Sequence, residues 1–220
     1  IWKAANYLYP VANPTLGERI TLVAVGGYGR GHLAPASDID LLFLIPYKLT
    51  PHSEQLIEYG PYLLWDMGLS VGQSTRSLDD CMRLSLQDFT VRTAVLEARF
   101  VCGDRRLYST LKRRFRTKVM VSTESDFVEA KLAERDRRHE RLGGSRYVLE
   151  PNIKDCKGGL RDLHTLYWIG AYLYRAGTAK KLVKHNILTA REARRFDKAE
   201  RYLWTLRCHL HYLAERREER

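Results

Sequence analysis

The chain has 220 residues, 45% hydrophobic and 29% charged, with a formal net charge of +11 from 37 Lys and Arg against 26 Asp and Glu. That balance fits one large soluble domain or two small ones, each with a proper core. No apolar stretch approaches the span of a membrane helix, since the longest run, Leu41–Ile45, is only strand-sized.

The opening, IWKAANYLYP, has no initiator Met and no apolar core of signal-peptide length, and the closing LAERREER reads as a helix stopped without a cap. Both ends are those expected of a fragment. Thr21–Val25 is a short apolar run closed by Gly26-Gly27 and predicts a strand, and Asp38–Ile45, closed by Pro46, predicts a second. Residues 51 to 68 show helical spacing, with Leu56, Tyr59, Leu63, Leu64 and Met67 on one side and Gly68 as the stop, and Leu69–Thr75 predicts a third strand.

From Leu78 onward the pattern turns helical. SLDD supplies a cap and first-turn acids, and TVRTAVLEARFVCGD carries helical spacing up to Gly103-Asp104. Helices are expected over Arg105–Val119 and Ser125–Leu142. A short strand and an ordered loop are expected over 146–161, and helices again from Asp162 to the end, with stops near Gly177 and Asn186. The expected organisation is α+β: a mixed-sheet domain over residues 1–105, then a mainly helical one over 106–220.

Four cysteines (Cys81, Cys102, Cys156, Cys208) form no C-x-x-C pair, which argues against a structural zinc site or disulfide framework and for a reducing cytoplasm. The positive charge suits a phosphate-bearing partner, but a fragment of a neutral parent would serve equally well.

The stretch GGYGRGHLAPASDIDLLFLIP, residues 26–46, carries the chemistry. It is neither G-x-G-x-x-G nor a phosphate loop, since His32-Leu33 stand where Lys and Ser/Thr are needed. In a strand, residues i and i+2 share a face, so Asp38 and Asp40 should project together while Ile39 faces away. Two parallel carboxylates suit magnesium, or manganese, completed by water and phosphate oxygens. Gly26 and Gly27 let backbone N–H groups approach a triphosphate, and Ser37 can donate to a phosphate. Arg30 either contacts phosphate or pairs with Asp38 or Asp40. The plainer alternative is that Asp38 caps a turn and Asp40 pairs with a basic residue.

GGYGRG-x-L-x-P-x-SDIDLL resembles the nucleotidyltransferase signature of the bifunctional PII uridylyltransferase/uridylyl-removing enzymes. LEPNIKDCKGGLRDLHTL, residues 149–166, is similar to that family's second hallmark, and DFTVRTAVLEARFVCGD has its look. The resemblance implies a DNA-polymerase-β-like nucleotidyltransferase fold followed by helices. It further implies magnesium-dependent transfer of UMP from UTP to a tyrosine of the nitrogen-signalling protein PII. The family's uridylyl-removing HD domain and glutamine-sensing ACT domains are not expected in this segment, which holds no His-Asp doublet. Two departures stand out: Cys156 where the family usually has glycine, and no acid in the third strand, where Gln73 falls.

Glu150 is therefore the candidate third acid and base, with Asp155 second. Lys154, Lys157 and Arg161 lie in the second glycine loop, expected to return to the active site and neutralise phosphate, although a solvated basic loop explains them as well. Asp162 reads as a helix N-cap, and Glu97 with Arg99 as an ion pair on one helix. His164 reads as buried or capping. His209 and His211 point apart, and Tyr167, Trp168, Tyr172 and Tyr174 read as core. The arginine-rich stretches lack interleaved aromatics, so neither a nucleic-acid nor a membrane partner is expected, and the oligomeric state is open. A sister nucleotidyltransferase using another nucleotide, or an inert nucleotide-binding module, are the alternatives.

Overall fold

The computed structural model describes residues 2–11, 15–143 and 149–220. The chain divides into two compact units: 1–33 with 37–121, and 34–36 with 122–220. The boundary expected at 105 falls between a strand and the helix after it, and that helix packs in the first unit.

In the first unit, helix α1 (Trp2–Leu8) and a 3-10 turn (Leu16–Glu18) precede β1 (Thr21–Ala24), α2 (Gly26–Arg30) and β2 (Ile39–Ile45). Next come α3 (Pro51–Asp66), β3 (Val71–Ser77), α4 (Leu78–Gln87), α5 (Phe89–Leu96), β4 (Arg99–Gly103) and α6 (Arg105–Arg114). A π turn (Phe115–Val119) follows. The starts of these helices are written in the sequence. Thr50 caps α3 with Pro51 at its first position, Ser77 caps α4, Asp88 caps α5 and Asp104 caps α6.

The described strands form a four-stranded mixed sheet in the order β3-β2-β1-β4, with β2 and β3 parallel and β1 antiparallel to both its neighbours. Leu41, Phe43 and Ile45 of β2 face a core with Ala5 of α1 and Leu56 and Ile57 of α3. The alternate residues Leu42 and Leu44, with Val23 of β1, are buried on the other face, where α6 packs on the sheet. Burial on both faces explains why β2 reads as a continuous apolar run.

Several expectations change. The helix expected to run to Gly103 ends at Leu96, and Arg99–Gly103 is β4, paired with β1 across a register shift at Leu22/Val23. Helical spacing and a short apolar run, Phe100–Cys102, share the stretch, and pairing with β1 decides it. Glu97 and Arg99 therefore do not share a helix.

The second unit holds α7 (Glu124–Arg141), α8 (Leu160–Tyr174), α9 (Ala179–Lys184) and α10 (Ala190–Ala214). Tyr172 is fully buried and stacks on Phe127 at 4.0 Å, while Trp168 is buried beneath the Lys131 ammonium. Both rings are core, as the sequence suggests. Of the strand expected ahead of Pro151, residues 146–148 lie outside the described residues, and Leu149 and Glu150 form a bend. The helix expected to run off the end stops at Ala214. Glu215 turns left-handed, and the tail folds back so that the Ile153 N–H donates to the Glu219 carbonyl at 2.8 Å.

Candidate active site

β1 feeds directly into α2 through an extended Val25. Gly26 has φ +57, and a Cβ there would stand 2.6 Å from Asp40 Oδ2. Only glycine accepts both the conformation and the closeness. Gly27 follows in the first turn, where helix N–H groups have no acceptor within the helix. At the far end Gly31 is left-handed and donates its N–H to the Tyr28 carbonyl at 3.1 Å.

Asp40 lies in β2, opposite Gly72 of the parallel β3. A Cβ on Gly72 would stand 3.0 Å from Asp40 Oδ1. The half-buried carboxylate therefore sits in a slot between two glycines, each leaving one oxygen uncovered by a side chain of its own. Asp38, exposed and one residue before β2, accepts from Ser70 Oγ at 2.6 Å, and the Ile39 N–H donates to the Ser70 carbonyl at 2.8 Å. Hard carboxylate oxygens in a slot kept clear by glycine fit a hard divalent cation. Gly72 and Ser70 were not picked out in the sequence. Their signal is register, since a parallel β3 in line with β2 must set some residue beside Asp40.

The third strand offers no acid, as the sequence implies, and Gln73 pairs with Leu41, one residue out of phase with Asp40. Ser37 is half-buried just before β2. Arg30 makes an ion pair with Glu97, whose carboxylate is buried at the end of α5. Arg99 is not Glu97's helical neighbour. It donates from Nη2 to the Tyr28 carbonyl at 2.7 Å and from Nε to the Gly29 carbonyl at 3.3 Å.

The remaining sequence-derived candidates belong to the second unit. Glu150 is exposed with φ +57. Asn152 Oδ1 accepts the N–H groups of Lys154 and Asp155, at 3.1 and 2.7 Å, and starts a self-contained turn. Lys154 pairs with Glu219 at 3.6 Å, and burial pulls its ammonium below the usual lysine range despite that carboxylate. Arg161 pairs with Asp155 at 3.6 Å, whereas Lys157 is exposed. Burial pushes Glu219's carboxyl up, but the hydrogen bonds and charge of Arg207, with Lys154 and His211, outweigh it and hold it low.

Cys156 does not have a positive φ, so its side chain sits there without backbone strain, and burial pushes its thiol up. Asp162 is not the N-cap. Gly159 takes that place, and Asp162 in the first turn of α8 accepts from Arg138, from His139 Nε2 at 2.9 Å and from the Gly158 N–H at 2.8 Å. His211 is buried and its Nδ1 accepts the Ala36 N–H at 3.2 Å, while His209 is exposed, so the two do point apart. No described helix is long and apolar enough to cross a membrane.

Comparison with known proteins covers both units. Residues 12–101 match the family described as nucleotidyltransferase domain, and residues 126–220 match GlnD PII-uridylyltransferase. The chain is 60% identical over 215 residues, 98% of its length, to the bifunctional uridylyltransferase/uridylyl-removing enzyme of Rhodospirillum rubrum. It is 58% identical, over the same span, to the enzyme of that name from Azospirillum brasilense. It covers 23% of the length of each of these relatives.

Proposed function

We propose, on the premise that this chain belongs to the PII uridylyltransferase family, that it transfers UMP from UTP to a tyrosine of the PII protein in the cytoplasm. The observation that carries the reading is the Asp40 carboxylate seated between Gly26 and Gly72, two residues after Asp38.

In this reading the tyrosine oxygen attacks the α-phosphorus of UTP in line. A phosphorus–oxygen bond forms to tyrosine, the α–β bridging bond breaks, and pyrophosphate leaves. Asp38 and Asp40 hold magnesium or manganese, which when bound supplies charge neutralisation for the phosphates. Ser70 Oγ donates to Asp38, and glycine at positions 26 and 72 keeps a Cβ away from the Asp40 oxygens. Gly26 and Gly27 offer backbone N–H groups to phosphate oxygens without a side chain in between, and Ser37 adds a hydroxyl donor. Glu150, the sequence's candidate base, and Lys154, Lys157 and Arg161, its candidate phosphate cations, belong to the second unit, where Lys154 and Arg161 hold Glu219 and Asp155. Rate comes mainly from positioning and charge, as in other phosphorus transfers.

The test is transfer from α-labelled UTP, with α-labelled ATP in parallel, to purified PII in magnesium. Label on PII from UTP alone supports the reading. Label from ATP instead identifies a sister nucleotidyltransferase, and nucleotide binding without any label identifies an inert module.

A further inference from the structure

Three contacts tie residues 28–30 to residues 97–99, at the end of α2 that lies away from Gly26. Arg30 pairs with Glu97, and the two side chains are only 11% and 3% exposed. Arg99 donates to the carbonyls of Tyr28 and Gly29, and its guanidinium lies 4.9 Å over the Tyr28 ring. Gly29 has no side chain where a Cβ would stand 2.6 Å from the Glu97 carbonyl oxygen, so the two backbones touch directly.

The turn that receives these contacts is held in its own right by α6. Lys112 Nζ donates to the carbonyls of Val95, Leu96 and Ala98, at 3.3, 3.1 and 3.3 Å, and Tyr108 donates its hydroxyl to Ala98 at 2.8 Å.

We propose that Glu97 and Arg99 are positioning residues that clamp α2, so that Gly26 and Gly27 keep their place beside Asp40, and that Arg30 acts through Glu97. The inference rests on the nucleotidyl-transfer reading and deepens it. A helix of five residues has almost no stability of its own, so its direction is set by what grips it. Gly26 stands at the gripped helix's other end, against the Asp40 carboxylate, where a small rotation either opens the slot or closes it. A displacement of about 1 Å at a reacting centre costs on the order of 100-fold in rate. The planar fork of Arg99 reaches two successive carbonyls at once, which a lysine ammonium cannot reproduce.

The experiment compares the wild-type protein with Arg99→Lys, Arg30→Gln, Glu97→Gln and the Arg30→Gln/Glu97→Gln pair. It uses steady-state UMP transfer at 25 °C, circular dichroism, and amide hydrogen exchange of residues 26–31. Arg99→Lys is the primary variant, because its side chain lies at the surface and its loss leaves no buried charge. It is expected to lower kcat about tenfold or more with KM for PII unchanged. The same variant is expected to speed exchange of the α2 amides about tenfold, with the wild-type dichroism spectrum retained. In the Arg30/Glu97 cycle the double variant is expected to be no slower than the slower single one, because both break one contact. Wild-type kcat and wild-type exchange in Arg99→Lys overturn the clamp, as do losses that multiply across the cycle, which would put Arg30 on the nucleotide itself. The exchange measurement needs no transfer, so an inactive wild-type protein would sink the functional reading while the clamp is still judged.

Discussion

Two of the chain's adjacent glycine pairs, Gly26-Gly27 and Gly158-Gly159, are glycine for different reasons. In the first loop the space is taken by other elements: the Asp40 carboxylate presses on Gly26, and the Glu97 carbonyl presses on Gly29 three residues later. In the second, a Cβ on Gly159 would meet the carbonyls of Ile153, Lys154 and Cys156 at 2.7, 2.9 and 3.0 Å, all from its own turn. Gly158 has φ +84 and open space around it. The cations do not separate the loops, since Arg30 holds Glu97 as Lys154 and Arg161 hold Glu219 and Asp155. What separates them is that the first brings glycine up to a carboxylate of another element. A glycine that makes room for a distant acid points to chemistry. One that closes its own turn points to folding.

Substitutions can break or sharpen that contrast. The largest effect belongs to Asp38→Asn with Asp40→Asn, expected to reduce UMP transfer by about 1,000-fold or more while the melting temperature holds. Substantial transfer by that folded double variant would remove the metal assignment. Gly26→Ala comes next: its methyl enters the Asp40 slot, so transfer should fall about 10- to 100-fold with only about 1 kcal/mol of stability lost to the φ of +57. Its counterpart, Gly159→Ala, should do the reverse. It should cost about 2 kcal/mol or more in urea unfolding, with activity lost only in proportion to the unfolded fraction. Equal effects of the two alanines on kcat, both proteins being folded, would erase the distinction between the loops.

Lys112, which holds the turn that grips the first loop, gives a pH test. Burial lowers its ammonium from 10.5 to about 8. Between those values the unfolded chain binds more protons than the folded one, so this group's contribution to stability rises with pH and is least favourable below about 8. Unfolding free energies at pH 7.5, 9 and 10.5 should therefore climb in the wild type relative to Lys112→Met, by up to about 3 kcal/mol. A pH-independent difference between the two would mean that the lysine is not buried as described. The smallest effect is expected for Gly158→Ala, about 1 kcal/mol from backbone conformation alone, since nothing stands where its Cβ would go.

Local rules made much of this legible in sequence. The strand TLVA ahead of a glycine pair, the apolar run after S-D-I-D, and the cap at Ser77 act over a few residues, and the fold keeps them. The same locality explains why Tyr172 and Trp168 of α8 read correctly as core, whereas Tyr167 and Tyr174 are only half-buried. What the sequence could not decide is which distant segments meet. RFVCG carries spacing compatible with a helix, and it becomes β4 only because the open edge of β1 takes it as a partner. Once Arg99 is in a strand it leaves Glu97's face. Glu97 then turns to Arg30, 67 residues away in sequence, while Arg99 caps the glycine helix. Asp162 likewise reads as a cap from its neighbours, yet Gly159 takes that place, and Asp162 binds Arg138 and His139 across from α7.

The amino-acid sequence by itself determined the candidates: two carboxylates at a strand's start, a glycine pair ahead of them, and a second glycine loop downstream. Only the tertiary structure decided their neighbours: Gly72 beside Asp40, Ser70 on Asp38, Glu97 on Arg30. The physical reason is range. Strand alternation and caps follow from bonds a few residues long, whereas register, ion pairing and close backbone approach are settled by which surfaces bury each other.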